Sequence, residues 1–301
     1  MILLKYWYKY TNKNKYRDIK EQMLLKRKKS QLLPSFTYKL DEISGYIKNE
    51  KVLNFKHSGH IGDIIYALPV IKELSKTHIC NLFIQVNKPI DKHAYKHTAG
   101  NVFINKAIYD KLTPLLKSVE YISEVNILEN QKIHIDFDLF REFPFDLNFI
   151  SFRWFFHLTG IQTDLSEPFL KIEPHPSIKN KIVIVRSFRV RNPFVDYSFL
   201  AKFDNLLFIG LKDEYEDLKK LVPNLEFYDV KDFYEMAQII KSSKIFIGNQ
   251  SFAYSLAEAI KTPRLLEAYS DFPVVHPIGK NAYDFYFQLH FEQLFNKLNT
   301  L

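Results

Sequence analysis

Apolar residues along most of the chain follow two spacings, which together predict alternating strands and helices. Short continuous apolar runs such as Val52–Phe55 and Ile182–Val185 are typical of strands buried on both faces of a parallel sheet. Between such runs, apolar residues return every three or four positions, as they do from Ile64 to Leu74, which predicts a helix. Strands that alternate with helices favour an α/β fold in which helices cover a parallel sheet.

This alternation runs through the chain twice. The first series predicts strands at Val52–Phe55, Ile79–Val86, Val125–Leu128 and Ile133–Ile135, and helices at 64–74, Ala107–Ser118 and Leu147–Leu158. The second predicts strands at Ile182–Val185, Leu206–Ile209, Leu225–Tyr228, Ile245–Ile247 and Arg264–Glu267, and helices after Asp213, from Phe233 to Ile240 and at Phe252–Ile260. We expect Asp213 to cap the helix that it precedes, and the tail after Phe287 to form a closing helix.

A proline-rich stretch separates the two series and marks a domain boundary. Pro168, Pro174 and Pro176 interrupt any regular element there. We therefore predict a basic N-terminal extension at 1–45, an N-terminal domain at 46–173, a C-terminal domain at 174–285 and a closing helix at 286–301.

The net charge of +8 is concentrated at the N-terminus. Residues 1–33 contain ten Lys and Arg but two acids, and the rest of the chain has as many acids as bases. The main body is therefore not a basic nucleic-acid binder, and no nucleic-acid partner is expected for it. In the extension, Trp7 and several tyrosines beside the lysines suit an anionic membrane surface. There are two alternatives for the extension. It forms a helix that packs on the rest of the chain, or it makes a nucleic-acid contact confined to these residues.

Cysteine usage and hydropathy point to a cytoplasmic protein, peripheral on the inner membrane face if the extension makes that contact. Cys80 is the single cysteine, which excludes an intrachain disulfide, and its apolar surroundings predict a buried side chain. No apolar run is long enough to predict a transmembrane helix.

Half of the eight glycines follow predicted strands, where open α/β sheets bind their ligands. These four are Gly59, Gly62, Gly210 and Gly248. Glycine lets the backbone approach a ligand closely, and the helix N-termini that follow favour phosphate. In the first of these loops, Asp63 stands at the start of a helix and serves either as a helix cap or as a catalytic base.

Two stretches resemble a known family. HSGHIGDIIYALPVIKEL, from His57, resembles the N-terminal motif of the ADP-heptose:lipopolysaccharide heptosyltransferases. FIGNQSFAYSLAEAIKTPRLLE, from Phe246, is similar to the donor-binding motif of that family. The resemblance implies a GT-B fold, in which an acceptor domain and a donor domain, both Rossmann-like, face a cleft. It also implies inverting, metal-independent transfer from a nucleotide-diphosphate sugar to a cell-surface glycan or lipopolysaccharide-type acceptor, with Asp63 as the base and no cofactor.

The second stretch departs from the family pattern at three positions. Gln250 replaces an acid, Phe252 replaces a glycine and Ser255 stands where the family has histidine, whereas Asn249 and Ser251 match. These departures leave the donor sugar and nucleotide open. They also leave open a non-catalytic relative that binds a nucleotide or a sugar.

The chemistry of the transfer suggests roles for the other candidate residues. His60 is the alternative base, and Glu214 is a candidate for the ribose. A departing diphosphate needs cations and N–H donors, which predicts a donor site from Gly59, Gly62, Arg186, Arg189, Arg191, Gly248, Asn249, Gln250 and Ser251.

A last group of polar residues follows the predicted strand Ile133–Ile135. Asp136, Asp138 and Arg141 are candidates for the acceptor sugar, although an Asp-x-Asp sequence also holds a metal ion in another class of sugar transferases. A basic loop nearby would meet a phosphorylated acceptor or remain solvated; it contains Lys88, Lys92, His93, Lys96 and His97.

Overall fold

The computed structural model describes residues 2–31, 34–90, 99–143, 147 and 149–301. Within them, two sheets made only of parallel pairs form the centre of the chain. The prediction of two parallel α/β units in series is confirmed.

The first sheet has four strands in the order β3-β2-β1-β4. They are β1 (Val52–His57), β2 (Ile79–Ile84), β3 (Glu124–Ile127) and β4 (Ile135–Asp136). Helix α4 (Ile61–Leu74) connects β1 to β2, and α5 (Lys106–Lys117) connects β2 to β3. The chain turns to opposite sides of β1 to form β2 and β4, so the loops after β1 and β4 flank a topological switch point, where such sheets bind ligands.

The second sheet has six strands in the order β10-β9-β8-β5-β6-β7. They are β5 (Ile182–Val185), β6 (Leu206–Phe208), β7 (Glu226–Phe227), β8 (Ile245–Asn249), β9 (Arg264–Glu267) and β10 (Ala282–Phe285). Its helices are α7 (Lys212–Lys219), α8 (Phe233–Ser242), α9 (Phe252–Ile260) and α10 (Gln288–Asn299). Here the switch point lies between the loops that follow β5 and β8.

One apolar core joins the two units. Helix α4 packs against α9, α5 packs against α8, and buried residues of all four helices belong to a single cluster. A second cluster fills the far side of the six-stranded sheet, where Phe291 and Phe295 of α10 pack. The halves are therefore held together by buried apolar surface, the main favourable contribution to folding.

Three helices precede the first sheet: α1 (Ile2–Thr11), α2 (Lys13–Gln31) and α3 (Pro34–Asn49). Helix α3 runs across residue 45, the predicted end of the extension, and its Ile43 is buried in the shared core. A short helix α6 (Phe152–Thr159) packs on α4. The exact domain limits remain a prediction.

Several local predictions need correction. Asp213 does not cap α7: Leu211 flanks that helix without a side-chain cap, and Asp213 lies in its first turn. The helix predicted from Leu147 begins only at Phe152, and Gly248 lies within β8 instead of after it. Strand β10 was not predicted, because its sequence AYDF is no continuous apolar run. Cys80 is buried, as predicted.

A buried charge cluster lies where α9 leads into β9. Glu258 accepts hydrogen bonds from Arg264 Nε at 2.6 Å and from Lys261 Nζ at 2.5 Å. Both Glu258 and Arg264 are fully buried, so each charge depends on the other for its solvation.

Replacing Glu258 by Gln keeps the shape of the side chain but removes the charge that compensates Arg264. We expect the free energy of unfolding to fall by about 3–5 kcal/mol, as for other buried pairs that lose one partner. Urea denaturation measures this loss. The matched control is Glu120→Gln, which breaks the exposed Lys171–Glu120 pair and should cost less than about 1 kcal/mol. Equal effects of the two substitutions would contradict the assignment.

Candidate functional site

Asp63 and Arg141 meet at the switch point of the first sheet. Asp63 lies in the first turn of α4, directly after the loop that leaves β1. Arg141 belongs to the short 3-10 helix Phe137–Glu142 that follows β4. Because β1 and β4 are parallel neighbours, their carboxyl ends bring these residues together, and Arg141 Nη2 lies 3.1 Å from Asp63 Oδ2.

The surroundings of the Asp63 carboxyl raise its pKa above the ordinary value. Burial raises its pKa to about 6, against the opposing effects of Arg141 and of a hydrogen bond with the His60 backbone. Because folding raises this pKa, the folded chain binds the proton more tightly than the unfolded chain. The contribution of Asp63 to stability therefore falls as the pH rises from about 4 towards 6. A carboxyl with this pKa is suited to accept a proton near neutral pH.

Arg141 is held by hydrogen bonds and by two aromatic rings. Its Nη1 donates to Asp138 Oδ1 at 2.5 Å, and its Nη2 also donates to the Gly59 carbonyl. Its guanidinium stacks over the rings of Phe103 and Phe140, with 4.7 and 4.4 Å to the ring centroids. Such a cation, bound by carboxylates and held between aromatic faces, has little freedom to move.

Asp138 is the buried anion that holds this arrangement together. It accepts from Ser58 Oγ at 2.8 Å and lies 3.1 and 3.2 Å from the ammonium groups of Lys56 and Lys88. Burial opposes its ionisation, but His57, Arg141 and Lys56, together with the Ser58 hydroxyl, hold the pKa of Asp138 below its ordinary value. Asp138 is therefore a structural anion, whereas Asp63 is the carboxyl that can exchange a proton.

Asp136 has a local role. Its carboxylate pairs with Lys56 at 2.9 Å and accepts from the Asp138 backbone N–H at 3.0 Å, which caps the 3-10 helix. Both acids of the Asp-x-Asp sequence are thus bound by lysine or arginine. Metal ligands need uncompensated negative charge, so this geometry does not favour the metal alternative. Their proposed contact with an acceptor remains a prediction.

Two histidines line the loop between β1 and α4. His57 is buried, and burial lowers its pKa to about 3; its Nδ1 accepts from the Gly59 backbone N–H at 3.0 Å. His60 packs edge-on against Phe103, and burial, Arg141 and Arg189 lower its pKa to about 4. Both imidazoles are therefore neutral near pH 7, and Gly59 takes a φ of +106° that favours glycine.

Sequence reasoning missed four residues that build this site: Lys56, His57, Ser58 and Phe103. They are ordinary strand and loop residues, and only the pairing of β1 with β4 shows that the first three surround Asp138. In the predicted basic loop, Lys88 contacts Asp138. Lys92, His93, Lys96 and His97 lie outside the described residues.

In the second half, the polar residues of the stretch from Phe246 that resembles a donor-binding motif make hydrogen bonds to loop backbone. Asn249 is buried, and its side-chain amide makes two hydrogen bonds with the Ser187 backbone. Its Oδ1 accepts from the Ser187 N–H at 3.0 Å, and its Nδ2 donates to the Ser187 carbonyl at 2.7 Å. Gln250 donates to the Phe272 carbonyl and accepts from the Val275 N–H. Ser251 caps α9 by accepting from the Tyr254 N–H.

The three arginines after β5 differ in their surroundings. Arg186 is buried and bound through two hydrogen bonds, of 2.8 and 2.9 Å, by the buried carboxylate of Glu267, so we no longer count it among the phosphate ligands. Arg191 pairs with Asp217 at 2.6 Å. Arg189 is exposed and lies near enough to His60 to lower its pKa. Arg189 is thus the arginine of the three placed towards the first half.

Glu214 also faces the loop after β5. It is buried and accepts from the Phe188 N–H at 3.2 Å, and burial raises the pKa of its carboxyl. Gly210 lies beside it: a Cβ added to Gly210 would be 3.4 Å from Glu214 Oε2. The contact of Glu214 with a ribose remains a prediction.

The two motifs lie side by side. A Cβ added to Gly62 of α4 would be 3.8 Å from Ser255 Oγ of α9, and Ser255 is fully buried. A Cβ added to Gly248 would be 2.9 Å from Phe246 Cε1 and 3.0 Å from the Val185 carbonyl oxygen, so a side chain at this position would displace its neighbours. The Gly62–Asp63 turn and the start of α9 therefore meet where the two halves join.

Comparison with solved structures identifies the fold. A family 9 glycosyltransferase from Veillonella parvula matches with a TM-score of 0.53 and 10% identity, over 84% of this chain and 90% of its own. The E. coli ADP-heptose lipopolysaccharide heptosyltransferase II matches with a TM-score of 0.52 and 12% identity, over 82% of this chain and 98% of its own. The E. coli heptosyltransferase WaaC with ADP matches with a TM-score of 0.50 and 11% identity, over 82% and 99%.

No protein-family model and no curated protein matches the sequence. The chain nevertheless has the fold of the family 9 glycosyltransferase structures, along nearly their whole length. The resemblance stated from the two motifs is confirmed at the level of the fold.

Replacing Arg141 by Met keeps the stem between the two rings but removes the cation beside Asp63. We expect the pKa of Asp63 to rise by about 1–3 units, because a neighbouring opposite charge lowers a carboxyl pKa by that amount. Carbon-detected NMR titration of the side-chain carboxyls measures the shift. Arg153→Met, an exposed change on α6, is the matched control and should leave this pKa in place. A pKa for Asp63 that stays near 6 in both variants would show that Arg141 does not tune it.

Proposed function

We propose that the chain is an inverting, metal-independent glycosyltransferase. It moves a sugar from a nucleotide-diphosphate sugar to a cell-surface glycan or lipopolysaccharide-type acceptor. The observation that carries the proposal is Asp63: a carboxyl with a pKa of about 6 at the switch point of the first sheet, next to the start of α9.

The proposed reaction uses Asp63 as general base. Its carboxylate accepts the proton of an acceptor hydroxyl while that oxygen attacks the anomeric carbon from the face opposite the diphosphate. The bond between the anomeric carbon and the phosphate oxygen breaks, and its electron pair leaves with the nucleotide diphosphate. Burial makes protonation of Asp63 easier, and Arg141 holds the carboxylate in place. His60 stays the alternative base, since its imidazole is neutral near pH 7.

The departing diphosphate needs positive potential on the donor side. Helix α9 starts next to the Gly62–Asp63 turn, and a helix N-terminus favours phosphate. Arg189 adds an exposed guanidinium, near enough to His60 to lower the pKa of its imidazole. Both groups belong to the set predicted from the sequence, whereas Arg186 of that set is bound by Glu267.

Neighbours of the same fold support the class of substrate. One is an ADP-heptose lipopolysaccharide heptosyltransferase, and another is a heptosyltransferase in complex with ADP. We therefore propose a nucleoside diphosphate as the leaving group, with the sugar left open. A glycolipid acceptor would place the enzyme at the cytoplasmic face of a membrane, and the basic residues 1–33 are the part of the chain suited to that contact.

Replacing Asp63 by Asn removes the base and keeps its shape. We expect kcat to fall at least about 100-fold, as for loss of general-base catalysis, while the Kd for ADP changes little. Donor turnover assays and calorimetry measure the two quantities. Asp110→Asn, on the exposed face of α5, is the matched control and should leave both unchanged. If the intact chain binds ADP but turns over no sugar donor, the non-catalytic alternative is correct.

The pH dependence should report the same carboxyl. Because the base acts in its ionised form, kcat/KM should rise about tenfold per pH unit below 6 and level off above it. A profile that stays flat from pH 5 to 8 would argue against Asp63 as the base. Activity that is lost with a chelator and restored by a divalent cation would instead support the metal alternative.

A further inference from the structure

His57, the last residue of β1, is a polar side chain in an apolar position. Its imidazole is fully buried, and its ring centroid lies 6.2 Å from that of Phe137 and 5.8 Å from that of Phe155. Alternate residues of a strand face the same side, and Leu53 and Phe55 on this side of β1 are equally buried. The pattern of the strand therefore predicts an apolar residue at position 57.

The two ring nitrogens of His57 differ in their surroundings. Nδ1 accepts from the Gly59 backbone N–H at 3.0 Å, which requires that Nδ1 carries no proton. Burial lowers the pKa of His57 to about 3, so the imidazole is neutral near pH 7 and its proton is on Nε2. Within the described part of the chain, Nε2 has no hydrogen-bond partner. A buried N–H without a partner is costly, so the stability of the aromatic core does not explain this histidine.

The bond at Nδ1 is the first of three hydrogen bonds that lead to Asp63. Gly59 is buried, and while its N–H donates to His57, its carbonyl accepts from Arg141 Nη2. The same Nη2 donates to Asp63 Oδ2 at 3.1 Å. Glycine has wide conformational freedom, so the direction of the Gly59 carbonyl depends on the partner that holds its N–H.

We propose that His57 is a positioning residue for the base Asp63. Its Nδ1 fixes the Gly59 backbone, the Gly59 carbonyl directs the guanidinium of Arg141, and Arg141 holds the Asp63 carboxylate. Asp138 has a different task, since it accepts from the N–H and the hydroxyl of Ser58 and from Arg141 Nη1. The catalytic consequence of the proposal rests on the function proposed above, whereas the effect on the surroundings of Asp63 does not.

Three substitutions of His57 separate the acceptor at Nδ1 from the packing of the ring. His57→Asn places an amide oxygen near the position of Nδ1, where it can accept from the Gly59 N–H. His57→Gln carries the same amide one methylene further, near the position of Nε2. His57→Leu accepts no hydrogen bond but suits the aromatic surroundings. Because leucine fills more space than asparagine and adds no buried polar group, urea denaturation should show that His57→Leu is more stable than His57→Asn.

The pKa of Asp63 reports the positioning without any substrate. In His57→Leu and His57→Gln, Arg141 loses its fixed place beside Asp63, and we expect the pKa of Asp63 to rise by about one unit or more, because a nearby cation lowers a carboxyl pKa by that amount. In His57→Asn this pKa should stay where it is in the parent chain. Carbon-detected NMR titration measures it. Leu53→Ala, a fully buried change on the same strand, is the matched control: it lowers stability but should leave this pKa in place.

Turnover of a sugar donor should follow the same order. Because small displacements of a catalytic group are costly, kcat should fall at least about tenfold in His57→Leu and His57→Gln but less than about threefold in His57→Asn. The Kd for ADP should stay unchanged in all three variants, since His57 lies in the first half and its hydrogen bond holds the loop before α4.

A purely structural role for His57 makes the opposite prediction. In that case the less stable His57→Asn would lose more activity than His57→Leu and would shift the pKa of Asp63 at least as much. That order, or a pKa of Asp63 in His57→Leu and His57→Gln equal to that of the parent chain, would overturn the proposal. If the pKa shifts as expected but the parent chain turns over no sugar donor, the proposed function fails while the positioning of Asp63 by His57 stands.

Discussion

The packing of α4 against α9 is the contact on which the arrangement of the site depends. Each helix starts directly after a central strand of its own sheet, so each carries one of the two motifs at its first turn. Small side chains let the two helix starts approach closely, as Gly62 and Ser255 do. Because both helices belong to one buried cluster, the position of Asp63 relative to the start of α9 is fixed by the apolar core and does not depend on a flexible hinge.

Within the first half, two carboxyls with opposite environments share one arginine. Asp63 has mainly burial around it and a raised pKa, whereas Asp138 is surrounded by positive groups and a hydroxyl and has a lowered pKa. Pairs of acids whose surroundings separate their pKa values are typical of sites that divide catalytic and structural roles. Arg141 contacts both carboxylates, so the position of Asp63 is coupled to that of the buried anion Asp138.

The sequence predicted the strands and helices of the central sheets because buried parallel strands and amphipathic helices have strong periodic signals. β5, α9 and β9 have the predicted bounds, whereas β10 was missed because an edge strand need not be apolar. Asp63 and Arg141 were predicted from motif and position, but their contact was not. Periodicity does not state which strands are neighbours, and the pairing of β1 with β4 spans about eighty residues. For the same reason Arg186 looked like a phosphate ligand, since its buried partner Glu267 is equally distant in sequence.

The departures from the heptosyltransferase motif have a common structural explanation. Gln250 both donates to the Phe272 carbonyl and accepts from the Val275 N–H, and a carboxylate at this position could not make the donor contact. Ser255 is fully buried and lies against Gly62 of α4. Phe252 fills the space beside Phe233, with 4.6 Å between the ring centroids. All three side chains therefore contribute to the local structure around the start of α9.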